Sequence, residues 1–255
     1  MNISELYNLL SESFPKELSA AWDNDGIMLT SDMNTEVNKI LIALDASEKI
    51  IEYASKNNFN TVITHHPMIF RGVKSISETS CTGRHILTAI KNGISVLSFH
   101  TRLDAADSGV NDTLCRMIGY EPISKFGDDE APTLGRIAEV PPISAIDLAM
   151  KVKAKLECQA VRFTGDPTRM IRRIGFCGGD GKSFIYPAIE NGCDAFITGD
   201  AGYNIATDAA EEGLITIEAG HFHTEFPVCV AIKDFIASFS DVKCEIYRDC
   251  PYHIV

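Results

Sequence analysis

The most constraining feature of this chain is the regular alternation, from residue 39 to 118, of short apolar runs with helical stretches. Lys39–Leu44 reads as a buried strand and 47–56 as a helix. Thr61–Thr64 reads as a strand that stops at His65-His66-Pro67, and 84–91 as a helix. Ile94–Phe99 is a strand ending at His100, and 110–118 a helix. This βαβαβα rhythm calls for a mostly parallel sheet covered by helices. Ahead of it, Leu6, Leu9, Leu10 and Phe14 fall at helical spacing, with Ser4 as a candidate cap and Pro15 as the stop. The second half continues in the same style. Strands are expected at 134–140, 159–163, 171–176, 195–198, 214–218 and 242–247, and helices at 143–155, 183–191, 203–212 and 225–237. The polar, Pro-containing stretch 121–133 marks the expected boundary between two interlinked α/β units, 1–126 and 127–255.

Charge and composition then narrow the function classes. A formal net charge of -12 argues against a broad nucleic-acid or anionic-membrane surface, because both rely on Lys and Arg. It leaves room for a small phosphorylated ligand held by local cations or metals. No apolar run approaches the ~20 residues needed to cross a bilayer. The start, Met1-Asn2-Ile3-Ser4-Glu5, lacks a basic region followed by an apolar one, so the expected location is the cytoplasm. The eight cysteines include no C-x-x-C pair and are expected to be reduced, partly buried thiols.

In a parallel sheet, ligands sit beyond the carboxyl ends of the strands. Asp45, His65, His66 and the stretch His100 to Asp104 all occupy such positions. Five of the seven histidines cluster at predicted strand ends: His65-His66, His100, and His221 with His223. A carboxylate follows two of them at the same interval, Asp104 after His100 and Glu225 after His221. A mixed imidazole and carboxylate set drawn from several strand ends suits a dinuclear hydrolytic site, whose ions sit about 3.5–4 Å apart.

Each element of this set has an alternative. Pro67 turns the chain after His66, so the two rings can serve neighbouring ions or a single one. Asp104 can ligate a metal or cap the following turn. His100 can be a ligand, a supporting group or a catalytic base. If 221–225 is helical, His221 and Glu225 share one face; Pro227 fits a first helical turn, so His221 can instead precede the helix. The glycines of 175–183 fail the phosphate-loop spacing, leaving an anion cradle or a tight strand-to-helix turn. Asp200, in Thr198-Gly199-Asp200, is a further polar strand-end group.

In order along the chain stand Trp22-Asp23-Asn24-x-Gly26, Leu44-Asp45-Ala46-Ser47, Thr64-His65-His66-Pro67 and His100-Thr101-x-Leu103-Asp104. Gly109-Val110-Asn111-Asp112, Gly178-Gly179, Ile197-Thr198-Gly199-Asp200, Ala219-Gly220-His221 and Thr224-Glu225 follow. Together they resemble the GTP cyclohydrolase I type 2-like proteins, also called NIF-three-like dinuclear metal proteins. The resemblance runs from about residue 22 to 228. It implies two α/β units with mostly parallel sheets and the metal site between them. His65, His66, Asp104, His221 and Glu225 fall at the metal-ligand positions, with Glu225 as bridge, for two divalent ions per chain: zinc, iron, manganese or nickel. It further implies a homohexamer. As a metal-dependent hydrolase the chain would act on a GTP-like or phosphorylated substrate, with His100 as a proton relay and Asp45, Arg102 and Asp200 in supporting or substrate-facing roles. A non-catalytic metal-binding scaffold is the alternative. The chain departs from the pattern at Asp25, where an apolar residue is usual, at Arg102, where Asn is usual, and at Asn204, where His is common. Arg102 points either to an anionic substrate or to a structural salt bridge.

Overall fold

The computed structural model describes residues 1–255. Its elements begin with α1 (Ile3–Ser13), β1 (Gly26–Leu29), β2 (Lys39–Ala43), α2 (Glu48–Lys56), β3 (Thr61–Thr64), α3 (Cys81–Lys91) and β4 (Ser95–Ser98). Next come α4 (Thr101–Ala105), α5 (Val110–Ile118), β5 (Ser124–Phe126), β6 (Gly135–Ser144), α6 (Ala145–Lys155), β7 (Arg162–Phe163) and β8 (Met170–Asp180). The chain ends with α7 (Ile185–Glu190), β9 (Ala195–Asp200), α8 (Tyr203–Glu211), β10 (Ile215–Glu218), α9 (His221–Glu225), α10 (Pro227–Ala237) and β11 (Lys243–Ile246). It forms two units, Met1–Leu103 with Val228–Asp249, and Asp104–Pro227 with Cys250–Val255.

The first unit holds a five-stranded sheet in the order β1-β4-β3-β2-β11. Four strands run parallel, and β1 closes one edge antiparallel to β4. Every residue of β3 and β4 is buried, as expected for strands covered on both faces. On one face Ile50, Ile51 and Ala54 of α2 and Ile86 and Ala89 of α3 pack with Leu41, Val62 and Val96 of the strands. The cap of α1 is Asn2, not Ser4. Asn2 Oδ1 accepts from the Glu5 amide at 2.9 Å and Glu5 Oε2 accepts from the Asn2 amide at 3.0 Å, a reciprocal box. Ser4 has Tyr7 three residues on and cannot form one.

The second unit holds a six-stranded sheet in the order β5-β6-β8-β9-β10-β7. Its centre, β8-β9-β10, is parallel, while β5, β6 and β7 join antiparallel. The class is thus α/β, with parallel strands joined by an antiparallel edge in the first sheet and antiparallel strands at both edges of the second. Leu114 and Ile118 of α5 and Leu148 and Val152 of α6 pack on Ile174, Phe176 and Ile197 of the sheet.

The stretch 121–133 lies inside the second unit. It carries β5, which pairs with β6 through Lys125↔Arg136, and so forms a hairpin. The Asp128 carboxylate accepts from the amides of Glu130 and Ala131 at its tip. The chain passes from unit to unit inside α4, at the start of α10 and after Asp249; the first two are helical places with no linker composition. No helix is long and apolar enough to cross a membrane. The eight cysteines form no disulfide, and Cys115, Cys158, Cys177, Cys193 and Cys229 are buried.

Candidate metal centre

In the first unit, β2, β3 and β4 are parallel, so their carboxyl ends face one way. Asp45 follows β2, His65-His66 follows β3, and His100 follows β4. Backbone bonds continue past the strands and hold these ends in register: the His66 amide donates to the Leu44 carbonyl and the Phe99 amide to the Thr64 carbonyl, each at 2.9 Å. Nitrogen atoms of His65, His66 and His100 consequently lie within 4.8 Å of one another.

Each ring is oriented through Nδ1. His65 Nδ1 lies 3.0 Å from the Phe99 carbonyl, His66 Nδ1 2.8 Å from Asp45 Oδ1, and His100 Nδ1 2.9 Å from Asp23 Oδ1. Carbonyls and carboxylates only accept, so Nδ1 carries a proton in all three, and in the neutral ring Nε2 is the nitrogen left to bind a metal. That is the arrangement in which an imidazole serves as a metal ligand through Nε2.

Asp23 is locked in place. It also accepts from the Thr101 amide at 3.0 Å and the Thr101 hydroxyl at 2.5 Å. Burial pushes its carboxyl up, but the hydrogen bond and charge of His100 and the two Thr101 donors outweigh this and hold it at about 2. The sequence motif around Trp22 flagged this region without giving Asp23 a role. Its partner lies 77 residues away, so local spacing carries no signal for it.

The second unit repeats the design. Its parallel strands β8, β9 and β10 end at Asp180, Asp200 and Glu218, and His221 opens α9 just beyond. His221 Nδ1 lies 2.9 Å from Asp200 Oδ2, which fixes the same tautomer. His221 Nε2 then faces Glu225 Oε2 at 3.1 Å, one helical turn on. A nitrogen lone pair and a carboxylate oxygen at that separation repel unless a proton or a cation lies between them. Residues 221–225 are helical, and Pro227 begins the next helix, α10, at its first position.

Glycines let the backbone approach this pair. A Cβ on Gly179 would stand 2.0 Å from Glu225 Oε1 and 3.2 Å from His221 Nε2. One on Gly199 would stand 2.7 Å from the Cα of His221. The Gly178-Gly179 pair belongs to β8 and forms one wall of the Glu225 carboxylate, which settles the role of this glycine stretch in favour of close packing.

Asp104 opens the second unit and is 8% exposed. Its segment is clamped. The wholly buried Arg136 donates to the carbonyls of Ala105 and Ala106 at 3.0 and 2.8 Å and pairs with Asp112. The Asn111 amide group donates to the Asp104 carbonyl at 3.3 Å and accepts from the Gly178 amide at 2.7 Å. The Gly109–Asp112 motif thus ties the Asp104 backbone to the glycine wall of Glu225. Cys177, fully enclosed here, has its thiol pushed well up by burial and further by the charges of Asp104 and Glu225. It acts as packing, not as a nucleophile.

Arg102 faces no substrate. It is wholly buried, and its Nε and Nη2 donate to the two oxygens of Asp25 at 2.8 and 3.0 Å. Nη1 donates to the Phe14 carbonyl at 3.3 Å, and the guanidinium lies 4.9 Å from the centre of the Phe99 ring. The residues at 25 and 102, both departures from the resembling pattern, are a carboxylate and a guanidinium that pair with each other.

Against known proteins, the model of the Duf34/NIF3 (NGG1p interacting factor 3) family matches residues 1–249. A Clostridium perfringens protein called GTP cyclohydrolase 1 type 2 homolog is 31% identical over 249 residues, 96% of this chain and 95% of the other. A Campylobacter jejuni protein of the same name is 32% identical over 233 residues, 91% of each chain. The crystal structure of a Staphylococcus aureus hypothetical protein superposes with a TM-score of 0.91 at 27% identity, covering 100% of this chain and 99% of that one. A Bacillus cereus protein related to NIF3, 22% identical, shares the fold with a TM-score of 0.88 over 100% and 99% of the two chains.

Proposed function

We propose that this chain, which belongs to the Duf34/NIF3 family, is a dinuclear metal-dependent hydrolase that activates water for attack on a nucleotide or another phosphorylated substrate. We assign its ligands to His65, His66, Asp104, His221 and Glu225. The observation that carries this is the uniform orientation of His65, His66 and His221, each with Nδ1 committed to an oxygen and Nε2 presented. The donor chemistry fits a divalent ion: neutral imidazoles and buried carboxylates are the usual set for zinc, iron, manganese or nickel. Glu225 is 5% exposed, with a glycine wall on one side and His221 Nε2 at 3.1 Å, so a buried carboxylate stands beside an imidazole nitrogen.

Bound metal supplies Lewis-acid charge and a lowered pKa for water. The protein supplies the rest. Asp23 fixes His100 with its proton on Nδ1, so His100 Nε2 is the atom that takes a proton and returns it. Asp45 and Asp200 hold His66 and His221 in the ligating tautomer. The name borne by the relatives, GTP cyclohydrolase 1 type 2 homolog, makes a purine nucleotide the first substrate to test.

Elemental analysis of purified protein equilibrated with zinc or manganese tests the reading, with about two ions per chain expected. His65→Ala should lose at least one of them. Asp45→Ala and Asp200→Ala should keep the ligands but weaken metal affinity by roughly 10–100-fold, because the imidazoles lose their orientation. Wild-type protein that takes up no stoichiometric metal would end the proposal. Stoichiometric uptake with no turnover of a nucleotide and phosphoester panel would replace the hydrolase with a metal-binding scaffold.

A further inference from the structure

We infer that Trp22 and Phe70 form a stacking platform for a planar heteroaromatic ring of the substrate, set beside His100. The inference rests on the hydrolase reading and names the part of the substrate that this site grips. Trp22 and Phe70 are large aromatics left 50% and 46% exposed. Single exposed apolar residues are ordinary, but these two are together, with ring centres 6.2 Å apart. Both meet the same imidazole. Trp22 lies 6.3 Å from the His100 ring at 72°, and Phe70 lies 6.0 Å from it at 90°. His100 in turn sits 5.1 Å from His65 and 5.7 Å from His66. The aromatic pair therefore borders the histidine cluster.

The platform is mounted rigidly. The Asn24 side-chain amide donates to the Ile69 carbonyl and ties the loop of Trp22 to the loop of Phe70. Asp23, between Trp22 and Asn24, is anchored through Thr101 and His100 as described above. The Asp23 amide also closes a turn onto the Ala20 carbonyl at 3.0 Å. Fixed aromatic rings suit a ligand whose own geometry is fixed and flat.

Arg71, next to Phe70, is an exposed cation beside the platform, whereas the guanidinium of Arg102 is committed to Asp25. A heteroaromatic ring gains stacking on exposed π faces, an interaction that tolerates different bases because every base presents a π face.

Trp22 is the only tryptophan of the chain, so its emission reports on this site alone. Titrating metal-equilibrated protein with guanosine 5′-monophosphate should quench that emission saturably, and ribose 5-phosphate should not. By calorimetry, Trp22→Leu and Phe70→Ala should each bind guanosine 5′-monophosphate about tenfold more weakly, with Trp22→Phe retaining most of the affinity. Equal quenching by ribose 5-phosphate, wild-type affinity in Trp22→Leu, or no nucleotide binding at all would overturn the platform. Elemental analysis of the same samples separates the two readings. Metal-loaded protein that fails to stack sinks the platform and leaves the metal centre intact. Metal-free protein that stacks upholds the platform and sinks the metal centre.

Discussion

Arg102→Met is expected to lower stability by about 3–5 kcal/mol, the cost of leaving a buried carboxylate without its charged partner. For a chain of this size that is a fall of roughly 6–20 °C in Tm, readable by calorimetry. The size follows from the geometry. Both side chains of the pair are fully enclosed, and the guanidinium meets the carboxylate through two parallel bonds. Asp25 keeps the Ser19 hydroxyl and the ammonium of Lys16, but Lys16 is half exposed and cannot replace a buried fork. A variant that unfolds at the wild-type temperature would show that the pair contributes nothing.

Acid should narrow the difference. Burial raises the Asp25 carboxyl, but the bonds from Arg102 and Lys16 outweigh it, and the folded value lies below the ordinary one. The bridge therefore contributes in full above the unfolded value of about 4 and loses its contribution as pH falls through the folded value. The Tm gap between wild type and Arg102→Met is widest near neutrality and closes in acid. The double variant Asp25→Val, Arg102→Asn should lie closer to wild type than either single change, because it leaves no unpaired buried charge and restores the residue types usual in resembling proteins. Additive losses would mean the two positions are not coupled.

Much of this was legible in the sequence, and what was not has identifiable causes. Buried parallel strands are near-continuous apolar runs, so β2, β3, β4 and β9 stand out from composition alone. The edge strands β1 and β5 are short and partly exposed, and no such run marks them. The division into units was hidden because the chain crosses within helices, while the Pro-rich stretch that looks like a linker is a hairpin. At the candidate site, the histidines announced themselves by strand-end position. Their partners did not, except in one respect. Asp45 precedes His66 by 21 residues, and Asp200 precedes His221 by 21 residues. In both cases the carboxylate stands at or just beyond the end of one parallel strand, a helix crosses over, and the imidazole it orients follows the next strand. The equal interval is the sequence trace of a device used once in each unit. Arg136 and Asp23 have no such trace, since their partners are fixed only by tertiary packing.

Gly179→Ala is expected to remove metal binding while leaving the fold in place. An added Cβ would overlap Glu225 Oε1 at 2.0 Å and crowd Glu225 Cδ at 2.9 Å. The backbone cannot yield easily. The Gly179 amide donates to Thr224 Oγ1 at 3.0 Å, and that hydroxyl bonds the carbonyls of Gly220 and His221. The carboxylate end is the movable part, so it swings away and leaves its station beside His221 Nε2. The fold itself pays mainly for a non-glycine residue at φ +66, about 1–2 kcal/mol. Metal affinity should fall by at least the 10–100-fold expected for losing a group that orients a ligand, since here a ligand itself is displaced. Gly178→Ala, one residue earlier, is the control. Its Cβ would meet nothing nearer than 3.2 Å, and that site has no positive φ to strain. Elemental analysis and equilibrium dialysis of the two variants side by side decide the matter. Equal metal affinity in Gly179→Ala and Gly178→Ala would mean that Glu225 does not bind metal from the position it holds here.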